Sequence, residues 1–270
     1  MISNYPYLFN VDMEELDKEK RLLDVLEKIN YPTPSTVKRS GDVRMWCYIE
    51  TRTCGKCVSI SLHPSLTAGE AVLLVAKEAN LQEFQNMLIH EVVLGETLER
   101  PVHFSEKLLD LTLRWGSWQD ADRHNNYLLL KENKLYADAV PCAIPPLSIF
   151  SEIQFSENKP KSKFSKLLFS VSNASITCYK EDKSGQSSEI SAWPVEDLIW
   201  YIGCEKKRNP PHPLNLTFID KDEPLRTKEA PLFGRVLSFS SRELFTKWLA
   251  ALLVAEYGTN IVQNNLVILD

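Results

Sequence analysis

The first half of the chain switches between two hydrophobic patterns, one typical of β-strands and one typical of α-helices. From residue 43 onwards, hydrophobic and polar side chains alternate in two runs, which are separated by a turn at residues 53–56. The hydrophobic positions are Val43, Met45, Cys47 and Ile49 in the first run and Val58, Ile60 and Leu62 in the second. A period of two puts one set of side chains on one face, so the pattern predicts a β-hairpin with one buried face.

A helix is predicted directly after this hairpin. Thr67 and Glu70 have the spacing of a capping box, in which each side chain accepts a hydrogen bond from the other residue's backbone N–H. The hydrophobic stripe of this helix comprises Val72, Val75, Ala76 and Ala79. The later patterns predict a strand at 89–94, a turn at Arg100 and Pro101, a helix at 105–115 and a strand at 127–131. This order of elements is that of a ubiquitin-like β-grasp domain.

The second half of the chain carries short alternating runs, separated by turns rich in Lys, Ser, Asn and Pro. The runs lie at residues 149–155, 166–171, 175–179, 197–202, 214–219 and 235–239. They predict a small antiparallel barrel or sandwich. A closing amphipathic helix has capping-box spacing at Ser240 and Glu243 and a stop at Gly258. The predicted fold class is therefore α+β, a β-grasp domain followed by a pleckstrin-homology β-barrel with a C-terminal helix.

Proline placement indicates how the chain divides into domains. Residues 133–148 contain three prolines and little periodicity, which is typical of a linker. We assign residues 1–34 to an N-terminal helical segment, 35–132 to the ubiquitin-like domain, 133–148 to the linker, 149–258 to the pleckstrin-homology domain and 259–270 to a C-terminal tail. The predicted helix at 12–30 has a hydrophobic stripe that is costly to expose, at ~25 cal/mol per Å². We expect the two domains to form one rigid unit, on which this helix docks.

Composition and charge exclude several function classes. The 270 residues include 31 Lys and Arg against 36 Asp and Glu, a net charge of −5, whereas a general nucleic-acid binder needs a basic surface. The longest uninterrupted hydrophobic run, from Trp248 to Ala255, is far shorter than the ~20 residues that cross a bilayer. The first residues also lack the basic region of a signal peptide. We therefore expect a cytoplasmic protein.

The sequence contains no recognisable catalytic motif. There is no phosphate-binding G-x-x-x-x-G-K-[ST], no G-x-S-x-G nucleophile turn and no H-E-x-x-H, and the five histidines are scattered. Cys54 and Cys57 form a C-x-x-C pair, which is compatible with thiol redox chemistry or half of a zinc site. A zinc site needs a second ligand pair and a redox pair should open a helix, so two incidental thiols are the favoured interpretation. No cofactor, metal or catalytic residue is predicted.

Two segments resemble the ARAP family, the GTPase-activating proteins for Arf and Rho that carry ankyrin repeats and pleckstrin-homology domains. LERPVHFSEK at 98–107 and YLLLK at 127–131 are similar to that family's Ras-association domain. AWP at 192–194, WYIGCEKKRNPP at 200–211 and Trp248 are similar to its final pleckstrin-homology domain. The resemblance implies a non-catalytic piece, because the family's GTPase-activating domains lie elsewhere. The same tandem occurs in the RIAM and lamellipodin adaptors and in growth-factor-receptor-bound adaptors, which are related alternatives.

The resemblance also implies a site for a GTP-loaded small GTPase of the Ras or Rap type. A Ras-association domain pairs its second strand with an edge strand of the GTPase, and its basic side chains face the acidic effector region. In the second strand here, at 57–63, the outward side chains are small and add little charge. The candidate GTPase-binding residues are Arg44, Arg52, Lys56, Ser59, Ser61 and Lys77.

Anionic membrane lipid, including phosphoinositides, is the second implied partner. The candidate lipid-binding residues are Lys159, Lys161, Lys163 and Lys166. Alignment on Phe169 puts Leu167 where the family has a phosphate-binding arginine, so we expect weak attraction and peripheral membrane recruitment. The basic run at 206–208, which prolines follow, is interpreted as a surface loop. The alternative function is a protein-interaction scaffold in which the GTPase and lipid pockets have degenerated.

Overall fold

The computed structural model describes most of the chain between residues 43 and 257. The described residues are 43–50, 55–84, 86–95, 97–123, 126–132, 138–142, 148–172, 174–181, 185–222 and 225–257. The predicted helix at 12–30, residues 53 and 54 of the hairpin turn and the tail at 259–270 lie outside this set.

The first half forms a five-stranded mixed sheet with helices. Its elements are β1 (Val43–Glu50), β2 (Gly55–Leu62), α1 (Ala68–Glu78), β3 (Met87–Val93), β4 (Leu98–Pro101), α2 (Leu108–Gly116), α3 (Asp120–Arg123) and β5 (Tyr127–Glu132). The strand order is β2-β1-β5-β3-β4, in which β1 and β5 are parallel and the other pairs are antiparallel. This is the predicted β-grasp arrangement, with β2 at one edge.

The capping box and the alternating strand explain the start of this domain. Met45, Cys47 and Ile49 are buried, whereas Val43 at the end of the strand is 39% exposed. The backbone N–H of Glu70 donates to Thr67 Oγ1 over 3.3 Å, and the N–H of Thr67 donates to Glu70 Oε2 over 2.9 Å. The predicted stripe of α1 is buried against the sheet, so the hairpin and the helix are both confirmed.

The turn that the sequence predicts at Arg100 and Pro101 is instead a strand. β4 pairs antiparallel with β3, and Arg100 lies opposite Glu91. Proline has no N–H to donate to a sheet, but Pro101 is the last residue of β4, where a strand tolerates it. The real turn comes earlier, at Leu94 and Gly95, whose φ angles of 53° and 61° are left-handed.

The second half is an antiparallel barrel closed by a helix. Its elements are β6 (Ile149–Ser156), β7 (Ser165–Ser172), β8 (Ser175–Glu181), β9 (Ser187–Pro194), β10 (Leu198–Gly203), β11 (Leu214–Asp220), β12 (Arg235–Phe239) and α4 (Arg242–Tyr257). The strand order is β10-β11-β12-β6-β7-β8-β9. Phe245 and Trp248 of α4 pack on Phe169 and Phe239 in a core of their own. This is the predicted pleckstrin-homology arrangement.

Two predictions for this half are wrong in detail. The predicted runs omit β9, because its side chains are mostly exposed and show little hydrophobic alternation. The cap of α4 is Ser241 and not Ser240, since the backbone N–H of Leu244 donates to Ser241 Oγ over 3.2 Å. The helix therefore begins one residue later than a cap at Ser240 would place it, without the predicted reciprocal capping box.

The two halves share one continuous sheet of twelve strands. β4 of the first half pairs with β10 of the second, with Glu99 opposite Ile202 and Leu98 opposite Gly203. Gly203 has φ of +103°, and a Cβ at this position would collide with the carbonyl oxygen of Thr97. The junction therefore requires glycine. No helix in the described part of the chain is long and hydrophobic enough to span a membrane.

Candidate binding sites

The outer edge of β2 is one candidate binding surface. β2 ends the twelve-stranded sheet, and no other described strand pairs with its outer edge. Ser59 and Ser61 are exposed on β2, and Arg44 of β1 is exposed directly opposite Ser61. The structure therefore brings these three predicted residues together on one face, beside backbone groups that a further strand could pair with.

The other predicted cations of this surface lie elsewhere. Lys56 is exposed at the start of β2, opposite buried Ile49, so it lies on the face that carries the core residues. Lys77 is exposed in the last turn of α1, which packs on that same face. Arg52 lies outside the described residues. Arg44 and Lys56 are five strand positions apart, or about 17 Å.

Two aromatic residues next to this edge are absent from the sequence prediction. Trp46 lies opposite Ser59 and Tyr48 lies opposite Cys57, and both aromatic side chains are half-buried on the outer face. Tyr48 also packs edge-on against Tyr127 of β5, with ring centroids 5.2 Å apart. Their alternation with buried residues is visible in the sequence, and it is the signal that would have revealed them.

The predicted lipid-binding lysines do not form a single group. Lys159, Lys161 and Lys163 are exposed in the loop at 157–164, which joins β6 to β7. Lys166 lies on β7, and its Nζ is 2.5 Å from Glu152 Oε2. Leu167, where the resemblance places an arginine, is half-buried and packs on the second core. The loop therefore supplies three unpaired lysines among the described contacts, and the strand supplies one paired lysine.

A buried carboxylate lies where the two halves meet. Glu91 of β3 is fully buried and accepts hydrogen bonds from Arg100 Nε (2.6 Å), Arg114 Nη2 (3.0 Å) and Trp115 Nε1 (2.6 Å). The fourth donor is the hydroxyl of Tyr201, on β10 of the second half, at 3.2 Å. Sequence reasoning missed this site, although one charge in the hydrophobic run MLIHEVV at 87–93 is a signal of it.

Neighbouring arginines keep the carboxylates of Glu91 and Glu106 ionised. Burial alone would raise the pKa of Glu91, but Arg100 and Arg114 hold it below its ordinary value. Glu106 forms a bidentate pair with Arg100, and although burial opposes ionisation, that pair lowers the pKa of Glu106 to about 2. Burial first, and then the charge of Glu91, raise the pKa of Tyr201, so its hydroxyl stays a hydrogen-bond donor.

A second polar contact joins the halves through the segment between β11 and β12. Arg226 donates to both carboxylate oxygens of Asp122 in α3, at 2.7 and 2.9 Å, and to Glu205 Oε1 at 2.8 Å. Phe233 inserts next to these groups and contacts Trp118 edge-on, with centroids 5.7 Å apart. The two halves therefore share both a hydrophobic core and an ion network.

Cysteine and metal chemistry gains no support from the described geometry. Cys57 is exposed, but partial burial raises the pKa of its thiol, which makes the reactive thiolate scarcer. Cys54 lies outside the described residues. No group of three or more His, Cys, Asp or Glu side chains in the described ranges could hold a metal ion.

Known proteins resemble this chain in sequence and in fold. It is 26% identical over 230 residues to Homo sapiens "Arf-GAP with Rho-GAP domain, ANK repeat and PH domain-containing protein 3", covering 81% of the chain and 14% of that protein. It is 22% identical over 269 residues to Mus musculus "Arf-GAP with Rho-GAP domain, ANK repeat and PH domain-containing protein 2", covering 97% of the chain and 15% of that protein. A scan against protein-family descriptions returns no match.

The structural comparison agrees with these relatives. The crystal structure of the coiled-coil, RA and PH domains of Lamellipodin superposes with a TM-score of 0.65 at 12% identity, over 93% of this chain and 98% of that chain. The chain spans 14–15% of the length of the curated relatives it matches. The expected resemblance to ARAP proteins and the fold of a Ras-association domain followed by a pleckstrin-homology domain are confirmed. These matches lie in a non-catalytic region, which supports the prediction that the chain is not an enzyme.

Proposed function

We propose that this chain is the targeting module of a cytoplasmic GTPase-regulating protein. Its Ras-association domain, at 35–132, binds an active Ras- or Rap-type GTPase. Its pleckstrin-homology domain, at 149–258, attracts the module to anionic lipid or phosphoinositide at a membrane. The observation that carries the GTPase proposal is the outer edge of β2, with which no strand in the described ranges pairs; this edge carries exposed Ser59 and Ser61 and lies beside Arg44.

An added GTPase strand would pair with this edge through backbone hydrogen bonds. Small serine side chains leave room for the incoming strand, and backbone pairing fixes its register. Arg44 would then meet the acidic effector region on the outer face, and Lys56 and Lys77 would meet it from the helix side. Cations on both sides of the edge favour a negatively charged partner strand and raise the association rate.

Because this edge carries few cations, we expect a modest affinity for the GTPase. We expect a micromolar dissociation constant, equivalent to about −8 kcal/mol or weaker. Reversal of the charge at Arg44, alone or with Arg52, should reduce binding by at least about tenfold, because an attraction becomes a repulsion at the interface. Arg44 is exposed, so the domain should remain folded.

Calorimetric titration against Ras and Rap proteins, each loaded with GDP or a GTP analogue, tests this proposal. The matched control is Lys180→Glu, which reverses one exposed charge on β8, the last strand but one at the far end of the strand order. Preference for the GTP form, lost in Arg44→Glu and kept in Lys180→Glu, supports GTPase binding. Equal affinity for both nucleotide states, or indifference to Arg44→Glu, contradicts it.

A scaffold without either ligand is the second candidate function. Half-buried Leu167 favours it, because this side chain packs on the core where the family would place a phosphate-binding arginine. The pairing of Lys166 with Glu152 favours it as well. Binding of neither a GTPase nor an anionic vesicle by the intact chain would establish this alternative.

A further inference from the structure

The strand at the far end of the sheet, β9, has an unpaired outer edge. β9 pairs with β8 along one side, and no strand in the described ranges pairs with its other side. Its side chains are mostly exposed. A row of unpaired backbone N–H and C=O groups is a template on which another extended chain can pair. β9 therefore offers backbone hydrogen bonds to a further strand.

A β-bulge in β9 turns a hydrophobic side chain outward beside this edge. The register with β8 shifts between Cys178 and Tyr179, and Ile190 is the extra residue that pairs with neither of them. Trp193, three positions further on, packs on the barrel core, so the alternation of the strand puts Ile190 on the outer face. Bulges commonly redirect one side chain in this way. Ile190 is 51% exposed as a result.

A second exposed hydrophobic side chain lies on the same outer face. Phe150 of β6 is 59% exposed, and its ring centroid lies 5.7 Å from that of Tyr179 on β8. Tyr179 in turn pairs with Glu189, the residue before Ile190. We call Phe150, Tyr179 and Ile190 the edge patch. Scattered hydrophobic residues are normal on a surface, whereas a group of them beside an open strand edge is typical of a protein-binding site.

The surroundings of this edge are acidic. The described segment 185–197 carries three exposed acids and no Lys, Arg or His; the acids are Glu189, Glu196 and Asp197. None of these carboxylates has an ion-pair partner within the part of the chain that the structure describes. Lys180 of the neighbouring strand follows Tyr179 directly, so it leaves β8 on the opposite face. The edge therefore attracts a positively charged chain.

We propose that the outer edge of β9 binds an extended segment of a partner protein that carries both basic and hydrophobic side chains. Backbone pairing with β9 sets the register, a hydrophobic side chain of the segment covers the edge patch, and a basic side chain meets Glu189. An acidic segment is repelled, and a proline-rich segment lacks the N–H groups that a ladder needs. The site is independent of the proposed GTPase edge, β2, which lies at the other end of the strand order.

Selection from a phage-displayed library of random octapeptides, with the full chain as bait, tests this site. Eight residues match the length of β9. Enriched peptides should combine Lys or Arg with Val, Ile or Leu and should lack proline. One of them is then synthesised and titrated against variants. Its affinity should fall at least about tenfold in Glu189→Lys, where attraction becomes repulsion, and about tenfold in Ile190→Ser, where less hydrophobic surface is buried.

Methylation of the peptide backbone tests strand pairing itself. The N–H groups of a strand point alternately to its two sides, so only every second one can face β9. N-methyl groups on alternate residues should abolish binding in one frame and leave it unchanged in the other. Equal binding of both methylated peptides overturns the strand-pairing site.

Matched controls separate this site from general charge attraction. Glu78→Lys reverses an exposed charge of α1, and Leu113→Ser removes a hydrophobic side chain of α2 that is 56% exposed. Both should change the affinity less than about threefold. An equal loss in Glu78→Lys and Glu189→Lys overturns the site, and so does enrichment of acidic or proline-rich peptides or of none. If sedimentation shows a dimer that Ile190→Ser abolishes, the occupant is a second copy of this chain and the assignment of a basic partner is overturned.

Discussion

Replacement of Glu91 by glutamine tests whether the buried carboxylate stabilises the two domains as one unit. The carboxylate accepts hydrogen bonds from four donor residues, three in its own domain and Tyr201 in the other. Glutamine has nearly the same shape but no charge, and its NH₂ group is a donor. At least one of the four donors would then face another donor, and two arginines would lose their shared counter-charge.

The expected cost follows from burial. Glu91 is 0% exposed and Arg100 is 5% exposed, so water cannot replace the lost interactions. Breaking a buried ion pair by removal of one partner costs ~3–5 kcal/mol. The other arginine, Arg114, keeps part of its side chain in solvent, at 24% exposure, and loses less. We therefore expect Glu91→Gln to lower the free energy of unfolding by about 4 kcal/mol, a large part of the ~5–15 kcal/mol of a typical protein.

Urea unfolding followed by tryptophan fluorescence and by circular dichroism measures this change. At ~2–3 kcal/mol per M of urea, the midpoint should fall by about 1.5 M. The control is Glu78→Gln, an exposed glutamate at the end of α1, which should change stability by less than about 0.5 kcal/mol. A single transition in both signals is expected, because β4–β10 pairing and the shared core join the domains.

Two results would refute this reasoning. A loss below about 1 kcal/mol would mean that the network is solvated or rearranges at little cost. The second is that the unchanged chain unfolds in separate transitions and Glu91→Gln shifts only one of them. The carboxylate would then stabilise a single domain, and the interface would not pass the loss of stability on to the other.

Four further predictions concern other parts of the chain. Gly203→Ala should lower the unfolding free energy by more than 1 kcal/mol in urea melts, since its φ is positive and Thr97 blocks a Cβ. The pKa of Glu106 is lowered to about 2, so its stabilisation is complete above pH ~4.5 and is lost as the pH falls towards 2; Glu106→Gln should flatten this part of an acid titration of stability. Vesicle binding that depends on lysine should weaken as salt is raised, because exposed charges are screened over ~8 Å at physiological ionic strength; salt-independent binding would exclude such a site. Residues 12–30 should show slow amide exchange if they dock as a helix, and rapid exchange throughout would reject docking.

Sequence patterns predicted the strands and helices that bury one face and expose the other. The alternation at 43–49 and the capping box at Thr67 both depend on interactions between residues close in sequence, and the structure contains the strand and the helix that they predict. Strand β9 escaped prediction because its side chains are mostly exposed, so no hydrophobic pattern marks it. β4 escaped because Pro101 looks like a chain breaker until its terminal position in the strand is known.

The candidate sites show a different limit. Sequence places Arg44 and Lys56 in one hairpin but assigns Lys56 to the turn; because β2 begins at Gly55, Lys56 is a strand residue and lies on the face opposite to Arg44. The hydrogen bond from Arg208 to the backbone oxygen of Ser156 spans 52 residues, and it depends on how two loops fold over the barrel. Contacts between residues so far apart in sequence follow from tertiary packing, which a single sequence does not encode as a periodic pattern.

The continuous sheet through β4 and β10 has a consequence for how two weak ligands would act together. Flexible linkers let two binding modules search for their partners, and the gain in avidity then depends on linker length. Here the connection is a row of backbone hydrogen bonds at a glycine that tolerates no side chain. This junction would set the distance and the relative angle between a GTPase on β2 and a bilayer at the exposed lysines of the loop at 157–164. Simultaneous engagement would then give full bivalent gain when the partner geometry matches, and almost none when it does not.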